Sequence, residues 1–513
     1  MSTETKKNQP GFAERVAWLT GANIVAFALA FFVPVVVVRT LNPTQFGLYK
    51  QLFQILATLI GLLYLQVASS AFYFMEREQD RRLQVAMNIV FFYLMAGLLV
   101  VTLCLVYPGW VAVIFHNSEI VNHIPLLGLA ILTWLLSGNL DVIPLSQNDV
   151  RTKSIYVIMG QIVKSAVIIS VAYYFKSVQA IILASIFAGA VQTMFILVYI
   201  HRRLGSLWRP PSQLIDWSLF RKQLANSLPF GGGSLVTVLQ TDLHNYFVSF
   251  YFPPAIFAVY ANGCFQVALL NLLQASFREV LMPMVAKLEA IGDYKGIGVA
   301  WMTAMRKLAL LIMPACTLMF IVKYELITTV FTKAYAESVP IFGIYLINML
   351  LLMFLTTSIM RSFPEFKYFR MKFNLALIPV SAAFLYMGIK SFGLIGAVMG
   401  TVAVQILDVF VSVTMIARLI GLKRQDLVQF APVLRTVMAS VLSAVLTYLV
   451  KAALPTTHSV VIIICCGIVF GLSYLASAYA LGAITNEEKV ELREKLQGLM
   501  QKLRPSRFGD ART

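Results

Sequence analysis

Read from its N-terminus, the chain alternates long apolar runs with short polar breaks. About 20 mostly apolar residues cross a bilayer core as a helix. Fourteen runs reach or approach that length: 16–38, 49–71, 86–107, 123–145, 154–175, 178–200, 226–251, 255–285, 306–322, 339–360, 373–390, 394–417, 433–451 and 459–482. They predict an all-α polytopic membrane protein with 14 transmembrane helices. An even number of spans puts both termini on one side. The polar tail opens with Thr485-Asn486-Glu487-Glu488, a capping-box spacing, followed by Leu492, Leu496, Leu499 and Leu503. That pattern predicts a short amphipathic helix lying on the membrane surface.

A repeat crosses this pattern. Pro43-Thr-Gln-Phe46-Gly-Leu-Tyr49 returns as Pro254-Ala-Ile-Phe257-Ala-Val-Tyr260, with Pro, Phe and Tyr all displaced by 211 residues. Both copies fall between the first and second spans of a possible six-span unit. The expected organisation is therefore an N-terminal lobe over 1–205, a second lobe over 206–425 and an appended helix pair over 426–484. The lobes would be related by an axis along the membrane normal, and 485–513 forms the tail.

Composition supports the class and removes others. Of 513 residues, 59% are hydrophobic and 12% charged, and the mean hydropathy is +0.79. A soluble domain carries about 25% charged residues, so a cytosolic enzyme, a secreted domain and a disordered chain are excluded. The formal charge of +18 fits positively charged cytoplasmic loops beside anionic lipid rather than nucleic-acid binding. With the N-terminus inside, 32 of the 41 Lys and Arg lie on inside segments. Arg39, Lys50, Lys176, Lys323, Lys333, Lys390 and Lys451 lie outside or at the outer rim, and Lys164 and Arg278 within spans. This bias places both termini in the cytoplasm. The first apolar run is too long for a signal peptide and no cleavage site follows it. The five cysteines sit in apolar runs without metal-ligand spacing and read as packing residues. No cofactor is expected.

Charges inside spans are the candidate site, because each costs from about 3 to over 10 kcal/mol at the bilayer centre. Lys164 is 11 residues past Lys153, about 16 Å along the helix and near midplane. Gln161 and Ser165 lie beside it. It reads as an anion contact or as a structural partner of Asp141 or Asp408. Arg278 closes a polar stripe with Asn271 and Gln274; its guanidinium suits phosphate, or it pairs with neighbours such as Glu279, or anchors at the interface. Asp242, near His244 on the seventh span, and Asp408, between Gln405 and Ser412 on the twelfth, are candidates for proton or cation coupling or for pairing with those cations. Arg39 and Arg361 sit at span ends as rim anchors. Gly231-Gly232-Gly233 lacks the Lys-Ser/Thr of a phosphate loop and reads as a bend or a close helix contact.

Several stretches together resemble the multidrug/oligosaccharidyl-lipid/polysaccharide (MOP) exporter superfamily, specifically its polysaccharide-transport, O-antigen flippase-like branch. They are Arg39-Thr-Leu-Asn-Pro-Thr-Gln-Phe-Gly-Leu-Tyr49, Leu228-Pro-Phe-Gly-Gly232, Tyr260-Ala-Asn262 with Pro283 and Lys287-Leu-Glu-Ala-Ile-Gly-Asp293, Ala334-Tyr-Ala-Glu-Ser-Val-Pro340 and Phe392-Gly-Leu-Ile-Gly-Ala-Val398. The resemblance spans about residues 15–425. It departs at Ala258, where glycine is common, and near His244, where the branch often has a basic residue. It implies two six-helix bundles, alternating access, and flipping of a polyprenyl-diphosphate-linked oligosaccharide across the bacterial inner membrane, beside polysaccharide polymerase or export machinery. The alternatives are a lipid II-type flippase, a cation-coupled small-molecule exporter, and, from another class, a membrane polysaccharide polymerase or ligase. The last needs a large outer loop, and the outer loops here are short.

Overall fold

The computed structural model describes residues 12–109, 115, 117–363, 366–422, 431–455 and 458–483. These residues form helices and short connections, with no strand among them. In chain order the α-helices are α1 Phe12–Thr40, α2 Pro43–Leu63, α3 Ser70–Arg77, α4 Arg82–Val106, α5 Ile124–Asn139, α6 Val142–Ser146, α7 Val150–Phe175, α8 Val178–Arg203, α9 Pro211–Leu214, α10 Trp217–Tyr251, α11 Pro254–Gly263, α12 Ala268–Ala290, α13 Tyr294–Ile321, α14 Lys323–Phe331, α15 Ser338–Leu350, α16 Thr356–Ser362, α17 Phe366–Leu419, α18 Ala431–Ala453 and α19 Ser459–Ala480. The expected tail helix at 485–503 lies outside the described residues.

Polar residues at the breaks start the helices. Asn42 and Gln45 form a reciprocal capping box on α2, and Asp149, Asp216 and Asp293 accept backbone N–H bonds at the starts of α7, α10 and α13. Such caps satisfy amides that have no partner within the helix. Pro43 and Pro254 each open a helix in its first turn, where their missing N–H costs nothing. The two copies of the repeat thus take the same local form, each burying its Phe (Phe46, Phe257) and its Tyr (Tyr49, Tyr260).

Eleven helices among the described residues are long and apolar enough to cross a membrane, or twelve with the bent pair α11–α12 taken as one span. This is a multi-pass membrane protein. Five of the fourteen expected spans differ: the run 226–251, within α10, is not among those eleven helices, and four others differ in detail. The run 49–71 is not one helix: α2 ends at Leu63, and the chain then turns through Leu65 and Gln66, both at positive φ. Tyr93 holds that turn, its hydroxyl donating to Tyr64 O (2.9 Å) and accepting from Ala68 N (3.0 Å). The run 255–285 breaks between α11 and α12 with a 50° bend. The runs 373–390 and 394–417 join in α17, whose 54 residues would extend about 80 Å if straight. The helix instead reverses at Gly393 (φ 58°), a conformation open to glycine. Its arms touch closely: a β carbon on Gly388 would lie 2.3 Å from Gly396 O, and one on Gly400 2.9 Å from Phe384 O.

The chain divides into two compact units. One comprises Met1–Phe265, Ile327–Tyr345 and Lys367–Gln405; the other comprises Gln266–Leu326, Leu346–Phe366 and Ile406–Thr513. The first has a core around Met75, Ile89, Tyr93, Leu135, Leu140 and Ile200. In the second, Ala439 of α18 clusters with Ala478 of α19 and with Ala483 just past its end. Tyr474 of α19 donates to Leu310 O of α13 (2.9 Å). Lys451 of α18 pairs with Glu325 (2.8 Å) and donates to Ile321 O (2.8 Å). Large apolar side chains such as Leu105, Tyr174, Leu446 and Leu472 stay exposed, the surface a helix presents to hydrocarbon.

Candidate functional site

In the first unit, α2 and α10 face each other across a polar seam. Gln51, Gln54 and Thr58 lie at i, i+3 and i+7 on α2, which places them on one face. Asp242, Asn245 and Ser249 repeat that spacing on α10. The faces meet in register: Thr58 Oγ1 donates to Asp242 Oδ2 (2.6 Å), Asn245 Nδ2 to Gln54 Oε1 (3.2 Å) and Gln51 Nε2 to Ser249 Oγ (2.7 Å). Gln54 also donates to Thr58 (3.2 Å), and Asn117 to Gln51 (3.0 Å). Beyond this ladder Gln66 reaches Ser234 (3.3 Å). There Gly231 passes so close to the turn at Leu65 that a β carbon would lie 2.7 Å from Leu65 O. Asp242 thus receives hydrogen bonds but has no ion-pair partner among the described residues. A part-buried carboxylate held by neutral donors can take up a proton or a cation.

Lys164 lies in the same unit on α7. Its ammonium sits 3.6 Å from the centroid of the Trp134 ring, a cation–π contact. The ring is held by its Nε1, which donates to Ser185 O (3.0 Å), and by Phe53 of α2 edge-on at 6.3 Å. Gln161 donates to Ser165 Oγ (2.8 Å), and Ser165 to Leu29 O of α1 (3.3 Å). Asp141, one acid offered as a partner of Lys164, pairs with Lys153 instead. Lys164 is therefore a part-buried cation with no carboxylate partner among the described residues.

His244 is taken up by other contacts. Its Nδ1 hydrogen-bonds the Tyr260 hydroxyl (3.0 Å), which in turn meets Thr401 Oγ1 (3.3 Å). The ring that lies two residues past Asp242 thus ties α10 to α11 and α17. Arg39, in the last turn of α1, meets α14: its guanidinium donates to Val330 O (2.9 Å) and Thr329 O, carbonyls of the last turn of that helix. A cation there suits the negative end of the helix dipole.

In the second unit, Gln274 donates to Leu352 O (3.3 Å) and Asn271 to Gln266 Oε1 (3.2 Å). Arg278, the last of that stripe, is part-buried and makes no hydrogen bond or ion pair among the described residues. Asp408 is buried on α17 and accepts from Ser412 (3.3 Å). Arg361 is exposed near the end of α16.

Sequence reasoning missed Gln51, Gln54, Thr58, Asn245 and Ser249, although the matched 3, 4 spacing of two polar stripes was the available signal. Trp134 had none, since it stands 30 residues from Lys164.

Residues 36–340 match the family model described as polysaccharide biosynthesis protein. The chain belongs to that family. No curated protein sequence matches it. Its fold is similar to that of a lipid II flippase, MurJ, in an inward closed conformation, at 15% identity and TM-score 0.66, covering 89% of this chain and 98% of that one. An outward-facing multidrug resistance MATE family transporter of the MOP superfamily is similar at 14% identity and TM-score 0.56, covering 79% of this chain and 95% of that one. A MOP superfamily transporter from Pyrococcus furiosus, described as having a binding pocket of reverse polarity, matches at 13% identity and TM-score 0.58, over 79% and 95% of the two chains. The family member described here thus has the fold of the MOP transporters.

Proposed function

We propose that this protein is a flippase that moves a polyprenyl-diphosphate-linked oligosaccharide, or a related polysaccharide precursor, from the cytoplasmic to the outer leaflet of the bacterial inner membrane. Fourteen spans would form two six-helix lobes, 1–205 and 206–425, with a helix pair over 426–484 and both termini in the cytoplasm. The lobes alternate access to a hydrated central cavity while the lipid tail stays in the bilayer.

The observation that carries this reading is Lys164. An ammonium in a spanning helix, resting on an indole face with no carboxylate partner among the described residues, is costly unless water or an anion reaches it. A diphosphate or acidic sugar is such an anion, and Arg278, in the second unit, is a further candidate anion contact. Gln161, Asn271 and Gln274 add neutral hydrogen bonds. Asp242, fed by Thr58 and Gln54, is the group best placed to couple transport to a proton or cation, with Asp408 as a second and His244 beside it.

A lipid II-type flippase is the nearest alternative. The likeness to the lipid II flippase covers 89% of this chain against 79% for the multidrug transporters, which favours a lipid-linked cargo over a small soluble one. The test is deletion of the gene followed by leaflet-resolved assay of lipid-linked glycan. Accumulation on the cytoplasmic leaflet, relieved by the wild-type gene and not by a Lys164→Ala variant that inserts normally, is the expected result. Undiminished export in the deletion strain overturns the reading.

A further inference from the structure

The connection between α8 and α10 is more than a tether. Its backbone is pinned to the start of α4 by buried carboxamides. Asn88, fully buried, donates to Asp216 O (3.2 Å) and accepts from Asp216 N (3.2 Å). Gln223, also buried, donates to Val85 O (3.3 Å) and accepts from Asn88 (2.9 Å). Gln84 donates to Gln213 O (3.1 Å). His201 at the end of α8 accepts from Leu207 N (3.1 Å).

Between this pinned strap and the first turn of α10 lies a cleft of about 510 Å³, lined by Gln84, Arg209, Ser212, Gln213, Asp216 and Ser218 with flanking Ile215 and Trp217. Its one carboxylate is already used: Asp216 caps Leu219 N (3.0 Å) and pairs with Arg81 (3.2 Å). Its guanidinium is not: Arg209 makes no hydrogen bond or ion pair among the described residues. The cleft therefore presents one unspent positive charge among neutral hydroxyl and amide groups. Arg202, Arg203, Arg221 and Lys222 stand exposed on the two helix ends that bracket it. Trp208 and Trp217 are 90% and 63% exposed, and Trp217 is braced by Phe91 at 5.4 Å and Phe220 at 5.8 Å. Exposed tryptophans beside arginines mark the depth of lipid headgroups.

We propose that this cleft binds the phosphate of an anionic glycerophospholipid headgroup through Arg209, with Ser212 and Gln84 as neutral donors and the two tryptophans against the glycerol and upper acyl region. A planar guanidinium grips phosphate oxygens two at a time. The pinned backbone at Leu207, Gln213 and Asp216 fixes where the Arg209 side chain starts, and its exposed guanidinium orders onto the phosphate. The site is separate from Lys164 and Asp242, and it holds whichever cargo the protein moves.

Native mass spectrometry of the full-length protein, released from mixed phosphatidylglycerol and phosphatidylcholine micelles, tests it. The wild type should retain one phosphatidylglycerol in preference to phosphatidylcholine. Arg209→Ala should lower that occupancy about tenfold, Ser212→Trp should lower it by filling the cleft, and Lys295→Ala, an exposed position on α13, should leave it unchanged. Melting temperature and elution volume verify that each variant is folded. Equal retention by Arg209→Ala, or equal loss by Lys295→Ala, overturns the proposal. Displacement of the lipid by millimolar inorganic phosphate would assign the site to free phosphate and overturn it as well.

Discussion

Gly47 and Pro254 meet where the two copies of the repeated segment pack together: a β carbon on Gly47 would stand 1.9 Å from the Pro254 carbonyl oxygen. The neighbouring Phe46 is buried and its ring meets Tyr335 edge-on at 5.6 Å. Only the absence of a side chain lets the first turns of α2 and α11 approach this closely. Overpacking a filled site costs about 1–3 kcal/mol, and here the obstacle is backbone that cannot rotate away. Gly47→Val should therefore lower the melting temperature in detergent by several degrees and reduce transport. Gly21→Ala, with nothing within 4 Å of the new carbon, is the matched control and should be neutral. Equal melting of Gly47→Val and wild type would refute the close packing.

Thr58→Val tests the polar seam. It removes the 2.6 Å donor to Asp242 while keeping the volume. Leaving a part-buried acceptor short of a partner costs about 1–3 kcal/mol. A drop in thermal stability of that size is the expected result, with a smaller drop in Thr58→Ser, which restores the hydroxyl.

Asp242→Asn keeps the shape and loses the charge. If Asp242 carries the coupling ion, glycan export in cells should lose its dependence on the proton or sodium gradient, while the purified protein remains folded. An unchanged dependence on both gradients removes the coupling role.

Lys164→Ala and Arg278→Ala should each lower transport at least tenfold without preventing insertion, measured as glycan left on the cytoplasmic leaflet. Trp134→Leu should have a smaller effect, since the cation–π contact holds Lys164 in place at a worth of about 0.5–2 kcal/mol. Normal export by both alanine variants would strike them from the substrate path.

Lys451→Met removes the ammonium that pairs with Glu325, whose side chain is 9% exposed. Breaking a fully buried pair costs about 3–5 kcal/mol, and the 22% exposure of the Lys451 side chain puts this one at the lower end. Thermal melting should show the loss, and Glu325→Gln in the same chain should recover part of it. Additive losses in the double variant would mean that the two residues do not act as a pair.

Much of this protein is written locally. A run of about 20 apolar residues can satisfy its backbone in a bilayer only as a helix, so the spans at 86–107, 154–175, 178–200 and 459–482 match α4, α7, α8 and α19 within a few residues of each end. Pro43 and Pro254 open α2 and α11, whereas the apolar run alone starts the second span only at 49. Where an apolar run was interrupted from within, composition misled. Leu65 and Gln66 turn at positive φ without a glycine, because Tyr93, far along the chain, supplies the hydrogen bonds that the turn lacks.

The charged groups divide the same way. Their expected depth in a span is read by counting residues at a fixed rise, which needs no coordinates. Their partners do. Asp141 could reach Lys153 or Lys164, and only packing assigns it to Lys153. Asp242 and Thr58 are 184 residues apart, and Lys164 finds an indole rather than an acid. Hydrophobicity sets which segments enter the membrane and says almost nothing about which faces of equally apolar helices meet. Those choices rest on side-chain fit between distant segments, which tertiary structure alone supplies.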